Sequence, residues 1–469
     1  MKTLVFALAT SMLLFVNNPD HHRTIEEHYA TTPSQSIELR GFSGSRIKIR
    51  SWDKNEVSIK LDISFSASNE RDEQKYLEAI VLKKTQQDKM LRIEYQEPEI
   101  STKNNRSFWT WLSAVFSASY IRKETEGEIF VPRTNPLIAE VRYGVIEMEG
   151  MKGALSFLGT GNTVKLKDCT AIAEVTNDYG KVTLENCGGD LHFSSKSTTV
   201  LLDQFDGKAV INADYSNITV RDIKHSLSIR SASGTIKVDN VGGDVTIRSD
   251  YTTIAVNGVR GMLNVEDKGG MIRAKGMDGV TISGLYSRME ITDVSGKAGK
   301  VISLEGQSGS ISLMNASGDV RINDPYGPID LKEIHGNVEI KSKSSNIHAT
   351  GVDGDWSSTT EYSLLTLRDL SSKRITVSNS SSPIDISLKT PPTYVEIRSE
   401  YGPVTLSMPP GFSGDVDINV TYAHIETNLP LSKTKSFDGG GGYAIGKIGT
   451  GNGKLSIETK SGNVKVMQR

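Results

Sequence analysis

From about Ala139 onward, apolar residues come in short alternating triplets separated by polar turns. Val182-Thr183-Leu184, Ile218-Thr219-Val220, Ile236-Lys237-Val238, Val245-Thr246-Ile247, Ile311-Ser312-Leu313 and Val338-Glu339-Ile340 are examples. Two apolar side chains facing one way, with a polar one between them, mark a strand in a sheet with one wet face. The pattern repeats every 18 residues. A small or glycine marker falls at Gly144, Asn162, Gly180, Thr198, Ser216, Gly234, Thr252 and Gly270, then at Gly309, Gly327, Ser345 and Ser363. A second marker lies half a repeat away, at Gly153, Gly189, Gly207, Gly243, Gly261 and Gly279, then at Gly318, Gly336 and Gly354. This predicts an all-β fold, a single-stranded parallel β-helix (β-solenoid) of 18-residue two-strand units over residues 136–469, ending in C-terminal capping strands. The glycines and Asn/Asp positions are assigned to the bends, where positive φ is tolerated. An antiparallel meander is the alternative, although so many strands would have to curl or split into packed sheets. Tyrosine returns every second unit, at Tyr143, Tyr179, Tyr215 and Tyr251, then near register at Tyr286, Tyr326, Tyr362 and Tyr401. That rhythm fits a 36-residue coil, or an 18-residue coil with tyrosine on alternate rungs.

The preceding region, 24–135, reads differently. Ile37-Glu38-Leu39, Ile47-Lys48-Ile49 and Val57 to Ile63 alternate as strands. Asn69 to Lys84 has helical spacing, with Leu77, Ile80, Val81 and Lys84 on one face, and Leu91 to Tyr95 returns to strand. A solenoid end needs an atypical cap, and this strand-helix-strand region is assigned that role. Within it, an aromatic insertion over 99–127 carries Phe108, Trp109, Trp111 and Phe116. These either fold against the cap or form a patch for a partner or membrane surface. Residues 1–20 read as a signal peptide: Lys2 precedes an apolar run from Leu4 to Val16, too short for a comfortable membrane span. No later run reaches 18 apolar residues, so no span is expected in the mature chain. The expected location is extracytoplasmic: periplasm, outer-membrane surface or secreted. The 18-residue register slips by four between Ser287 and Gly309, which a bulge or excursion would absorb.

A formal net charge of -2 over 469 residues gives no support for nucleic-acid binding. Cys169 and Cys187 stand one repeat apart. An 18-residue coil would stack them on adjacent rungs, within the reach of a disulfide, and a 36-residue coil would separate them. Asp178, Asp214 and Asp250 directly precede ladder tyrosines. Such an acid-Tyr-small ladder suits sugar rings or cations, or is simply turn chemistry with packed tyrosines. Histidines are scattered, His192 is expected to face solvent, and His225 and His335 have no ligand partner at a matching phase. HExxH, GxSxG and phosphate-loop patterns are absent, so no catalytic residue, metal ligand or cofactor is assigned. The short turns are expected to leave few walls for a catalytic cleft.

Glu128-Ile129-Phe130-Val131-Pro132, the segment Ala139 to Gly144, Ser233 to Val238 and the ending Ser461 to Val466 resemble a family of exported bacterial candidate adhesins with β-strand repeats. The function of that family is uncharacterised, and related head-domain proteins fold as β-helices. The resemblance implies a β-helix over about 120–469 and supplies no catalytic residues. The resulting expectation is a non-catalytic, adhesin-like binding or scaffolding protein of the envelope or surface, with a glycan or an envelope protein as partner. The alternatives are a polysaccharide-acting lyase or hydrolase on a β-helix, and an envelope regulatory protein contacting partners through Trp109 and Trp111. Oligomeric state is left open.

Overall fold

The structure is a computed structural model that describes residues 21–66, 70–98, 122–297, 299–437 and 440–469. The signal segment, Asn69, Phe108, Trp109, Trp111 and Phe116 lie outside the described residues. Strand pairing fixes the size of the coil. Val164 pairs in parallel with Val182, Val182 with Val200, and Val200 with Ile218, each step being one 18-residue turn. Each coil therefore has two sides, and the stacked sides form two parallel sheets facing one another. Val182 and Leu184, Val200 and Leu202, and Ile218 and Val220 line the interior from one sheet. Leu191 and Phe193, Ala209 and Ile211, and Leu227 and Ile229 line it from the other. The core is one continuous apolar column running the length of the stack.

Both ends are built by doubling back. The first coil, with strands Ser36–Arg40 and Arg46–Trp52, lies inside the stack between later segments. Met90–Gln96 and Leu137–Arg142 flank its first strand; Arg122–Pro132 and Val145–Glu149 flank its second. At the far end, the C-terminal strands Gly453–Thr459 and Val464–Gln468 slot between the coil at 394–408 and the coil at 414–427. The outermost strands pair antiparallel: His21–Ala30 on Glu56–Ser66, Val81–Gln87 on Met90–Gln96, and Lys433–Ser436 on Gly442–Ile448. Their lysines, their charges and the three-residue edge strand Ile425–Thr427 blunt the sheet edges against further pairing.

Three expectations need correction. The helix covers only Glu70–Ala79, and Val81–Gln87 is a strand. Val81 and Lys84 fit a helical face equally well by spacing, but the hairpin with Met90–Gln96 supplies a full ladder of hydrogen bonds. Arg23 Nη1 donates to the Ile80 carbonyl at 2.8 Å and also to that of Leu77, so the helix C-terminus is satisfied from the first strand. The segment read as an aromatic insertion ends earlier than 127, because Arg122 already begins a strand. Finally, many marker glycines are not left-handed. At Gly180 and Gly207 a Cβ would strike the backbone of the preceding coil, at Asn162 and Gly189, so glycine there permits close approach of rungs. The slip after Ser287 is an excursion between Val294 and Ile302, across which Val280 pairs with Ile302.

Candidate functional site

Each coil turns at two edges, and the edges differ chemically. At the first, a left-handed residue ends one strand: Asp168, Asn186, Gln204, Asp222 and Asn240 have φ of 50 to 58°. Short polar side chains tolerate this conformation. They also pair between rungs: Asn186 Nδ2 donates to Asp168 Oδ1 at 2.6 Å, Asn240 to Asp222 at 3.1 Å, and Asn315 to Asp293 at 2.6 Å. A groove of about 1320 Å³ follows this edge, lined among others by Asp206, Asp222, Lys224, Arg260, Asp278 and Asp293. The expectation of few walls is thus corrected. The turns are short, but the stacked left-handed bends and side chains on either side of them make a concavity that no single loop builds. The excursion after Val294 adjoins the groove: Lys297 and Lys300 approach Asp278 at 3.0 and 3.5 Å.

Two of the groove carboxylates, Asp206 and Asp278, are tied up in ion pairs with lysines. A hydrogen bond from Lys224 holds Asp206 below the usual carboxylate range, and one from Lys297 does the same for Asp278. Carboxylate-pair glycoside hydrolysis needs one carboxyl held protonated as the acid. These two are held ionised.

At the opposite edge stand the tyrosines. Tyr143, Tyr179, Tyr215 and Tyr251 have φ of 58, 55, 55 and 80°. A bulky residue is unusual in that region, and glycine would be cheapest. On the intervening coils the same bend is made by Gly161 and Ser197. The four rings are 61 to 70% exposed. Tyr286, Tyr326, Tyr362 and Tyr401 continue the line on later coils, all exposed. The coil is therefore 18 residues with tyrosine on alternate rungs. At two rungs the ring lies over the neighbouring bend: a Cβ on Gly161 would fall against the Tyr143 ring, and one on Gly269 against that of Tyr251.

Spacing in the sequence does not reveal Tyr422, which is 72% exposed. It lies only 21 residues beyond Tyr401, yet the returning C-terminal coil separates them. Val404 pairs with Val464, and Val464 with Ile425, so the rung at Ser461 sits between the two tyrosines. Alternation is preserved in space where the chain order is broken. Every exposed tyrosine among the described residues belongs to this line.

Beneath the line runs a buried polar column that accounts for the first repeat marker. The Gly144 amide donates to Asn162 Oδ1 at 2.7 Å, that of Thr198 to Ser216 Oγ at 3.0 Å, and that of Ser345 to Ser363 Oγ at 3.1 Å. Asp267 accepts the hydroxyls of Ser249 and Ser287, both at 2.7 Å. Asp324 Oδ1 accepts the amides of Tyr326 and Gly327, its Oδ2 has no partner, and burial raises its pKa. Asp178, Asp214 and Asp250 are half-buried beside the tyrosines. Asp214 accepts the Ala232 amide at 2.9 Å, and Asp250 pairs with Lys268 at 2.9 Å. A recess of about 520 Å³ lies here, lined by Asp214, Arg230, Arg248, Asp250, Lys268 and Leu285.

Cys169 and Cys187 are buried free thiols on adjacent rungs. Contact with Cys169, together with burial, pushes the Cys187 thiol up, so it is not a poised nucleophile. His192 is exposed. His335 Nδ1 lies 2.7 Å from Asp353 and His225 3.6 Å from Asp206, so each does face a carboxylate one coil away. Among the described residues, no three His, Cys, Asp or Glu side chains converge to hold a metal ion, and no helix is long and apolar enough to cross a membrane.

Comparison with known proteins gives a family match. The family described as Toastrack DUF4097 matches residues 45–467. No curated protein shows a significant sequence match. Among solved structures, a candidate cell adhesion protein from Clostridium sporogenes aligns over 95% of this chain and 100% of its own, at 9% identity and a TM-score of 0.16. A score that low carries no weight for fold or function.

Proposed function

The chain belongs to the Toastrack DUF4097 family, and from that premise we infer that it is an exported β-solenoid of the envelope or cell surface that binds or scaffolds without catalysis, through its tyrosine edge. One observation carries this reading: four of the exposed tyrosines, Tyr143, Tyr179, Tyr215 and Tyr251, occupy strained left-handed bends that the neighbouring coils at Gly161 and Ser197 make with glycine or serine. The fold does not require tyrosine there. Strain kept at such positions points to use of the side chain. A rigid rod holding identical groups at fixed spacing lets weak contacts add along a polymer or an extended partner, here a glycan or an envelope protein.

The test is binding of the full chain to a panel of glycans and purified envelope proteins, compared with the double variant Tyr215→Asn/Tyr251→Asn. Asparagine tolerates the left-handed bend, so the rod is retained while two rings are removed. Affinity is expected to fall about tenfold, in line with the loss of two aromatic contacts. Unchanged affinity for the bound partner would remove the edge from the account.

A further inference from the structure

Resting on the reading of the tyrosine edge as a contact surface, we propose that its occupant is a neutral polysaccharide of flat, two-fold form, such as a β-1,4-linked chain, lying along the rod with one disaccharide per tyrosine. The pitch selects it. Rungs are about 4.8 Å apart, so tyrosines on alternate rungs recur about every 9.6 Å. In an extended β-1,4-linked chain successive sugars are turned over, and the same ring face returns after two units, an advance close to two rungs. Neighbouring tyrosines then meet equivalent sugar faces.

An extended peptide fits poorly. It advances about 3.3 Å per residue, so two rungs span three residues, and residues three apart in a strand point to opposite sides. Successive tyrosines would meet alternating faces of such a chain.

Charge agrees with a neutral polymer. Two acids on tyrosine-bearing coils pair with lysines on the intervening coils: Asp250 with Lys268 at 2.9 Å and Glu400 with Lys460 at 3.0 Å. These pairs cancel charge at those two rungs while offering donors and acceptors to sugar hydroxyls. The recess from Asp214 to Leu285 gives room beside the rings for substituents of the chain. The persistence of the two-rung period through the doubled-back end, from Tyr401 across Ser461 to Tyr422, extends the same lattice beyond the sequence repeat.

The experiment is calorimetric titration of the full chain with cello-oligosaccharides and with their 2-acetamido counterparts, in series lengthened by one sugar at a time. Malto-oligosaccharides, whose α-links curl the chain, serve as the control. The expected result is severalfold tighter binding each time a pair of sugars is added, little change for the odd sugar, no binding of the control, and loss of the steps in a variant with every exposed tyrosine of the line, from Tyr143 to Tyr422, changed to asparagine. Binding that tightens smoothly, or failure of both β-linked series to bind, overturns the proposal. If smooth binding is still lost in that variant, the pitch match fails while the tyrosine edge stands. If β-linked chains bind the variant as tightly as the parent, the edge itself fails.

Discussion

A tyrosine with φ near 55° is held in a conformation that glycine adopts more easily, and its ring remains mostly in solvent. Neither fact was legible in the sequence. The 36-residue rhythm was, but it fitted two coil sizes until the pairing of residue i with i+18 removed one. Asp324 offers a separate residue-scale test. Its folded pKa is raised by burial, so the penalty on its charged form is absent below the unfolded value of about 4, where the carboxyl is neutral in both states. The penalty grows as pH rises through the folded pKa and is complete above it. Asp324→Asn keeps the Oδ1 acceptor for Tyr326 and Gly327, so it should raise Tm at pH 7, with the gain disappearing towards pH 4. A gain of equal size at both pH values would rule out this origin. The cysteines make a second prediction at this scale. Their rung spacing lies within disulfide range, so diamide should convert both thiols to an intrachain disulfide, with the mass of two hydrogens lost. Two thiols still titratable after denaturation would contradict it.

At the scale of the strand, the period-2 pattern made most of the fold readable, because alternate residues of a half-buried strand face opposite sides. Where one pattern served two structures, it failed. Val81 and Lys84 satisfy a helical face, and only the partner strand Met90–Gln96 decides the matter. Marker glycines were readable as positions but not as causes, since the close approach of two rungs has no local signature. The core layer at Trp356 shows how a coil absorbs a misfit. This tryptophan is the largest fully buried side chain, and its neighbour across one residue is the buried Ser358, whose Oγ accepts the indole N–H at 3.1 Å. Trp356→Ala should leave a cavity between the sheets and lower the unfolding free energy by about 3–5 kcal/mol. Denaturant unfolding showing a loss below about 1 kcal/mol would mean that the flanking coils close over the gap.

For the whole molecule, the two edges divide the chemistry. One carries a groove in which Asp206 and Asp278 are paired with Lys224, Lys297 and Lys300; the other presents aromatic rings at a fixed pitch. Doubling back at both ends closes the stack and places Tyr422 in phase with the rest, which no reading of linear spacing could have found. A contact surface built this way gains affinity by repetition, so each ring should contribute in proportion. The most direct test replaces ladder tyrosines by asparagine in pairs, first Tyr215 and Tyr251, then also Tyr179 and Tyr286, and follows affinity for the bound polymer together with Tm. Affinity should fall with each pair while Tm hardly moves, because surface changes usually shift stability by no more than about 0.5 kcal/mol. Affinity that stays constant across the series, or falls only as the fold itself is lost, would contradict it.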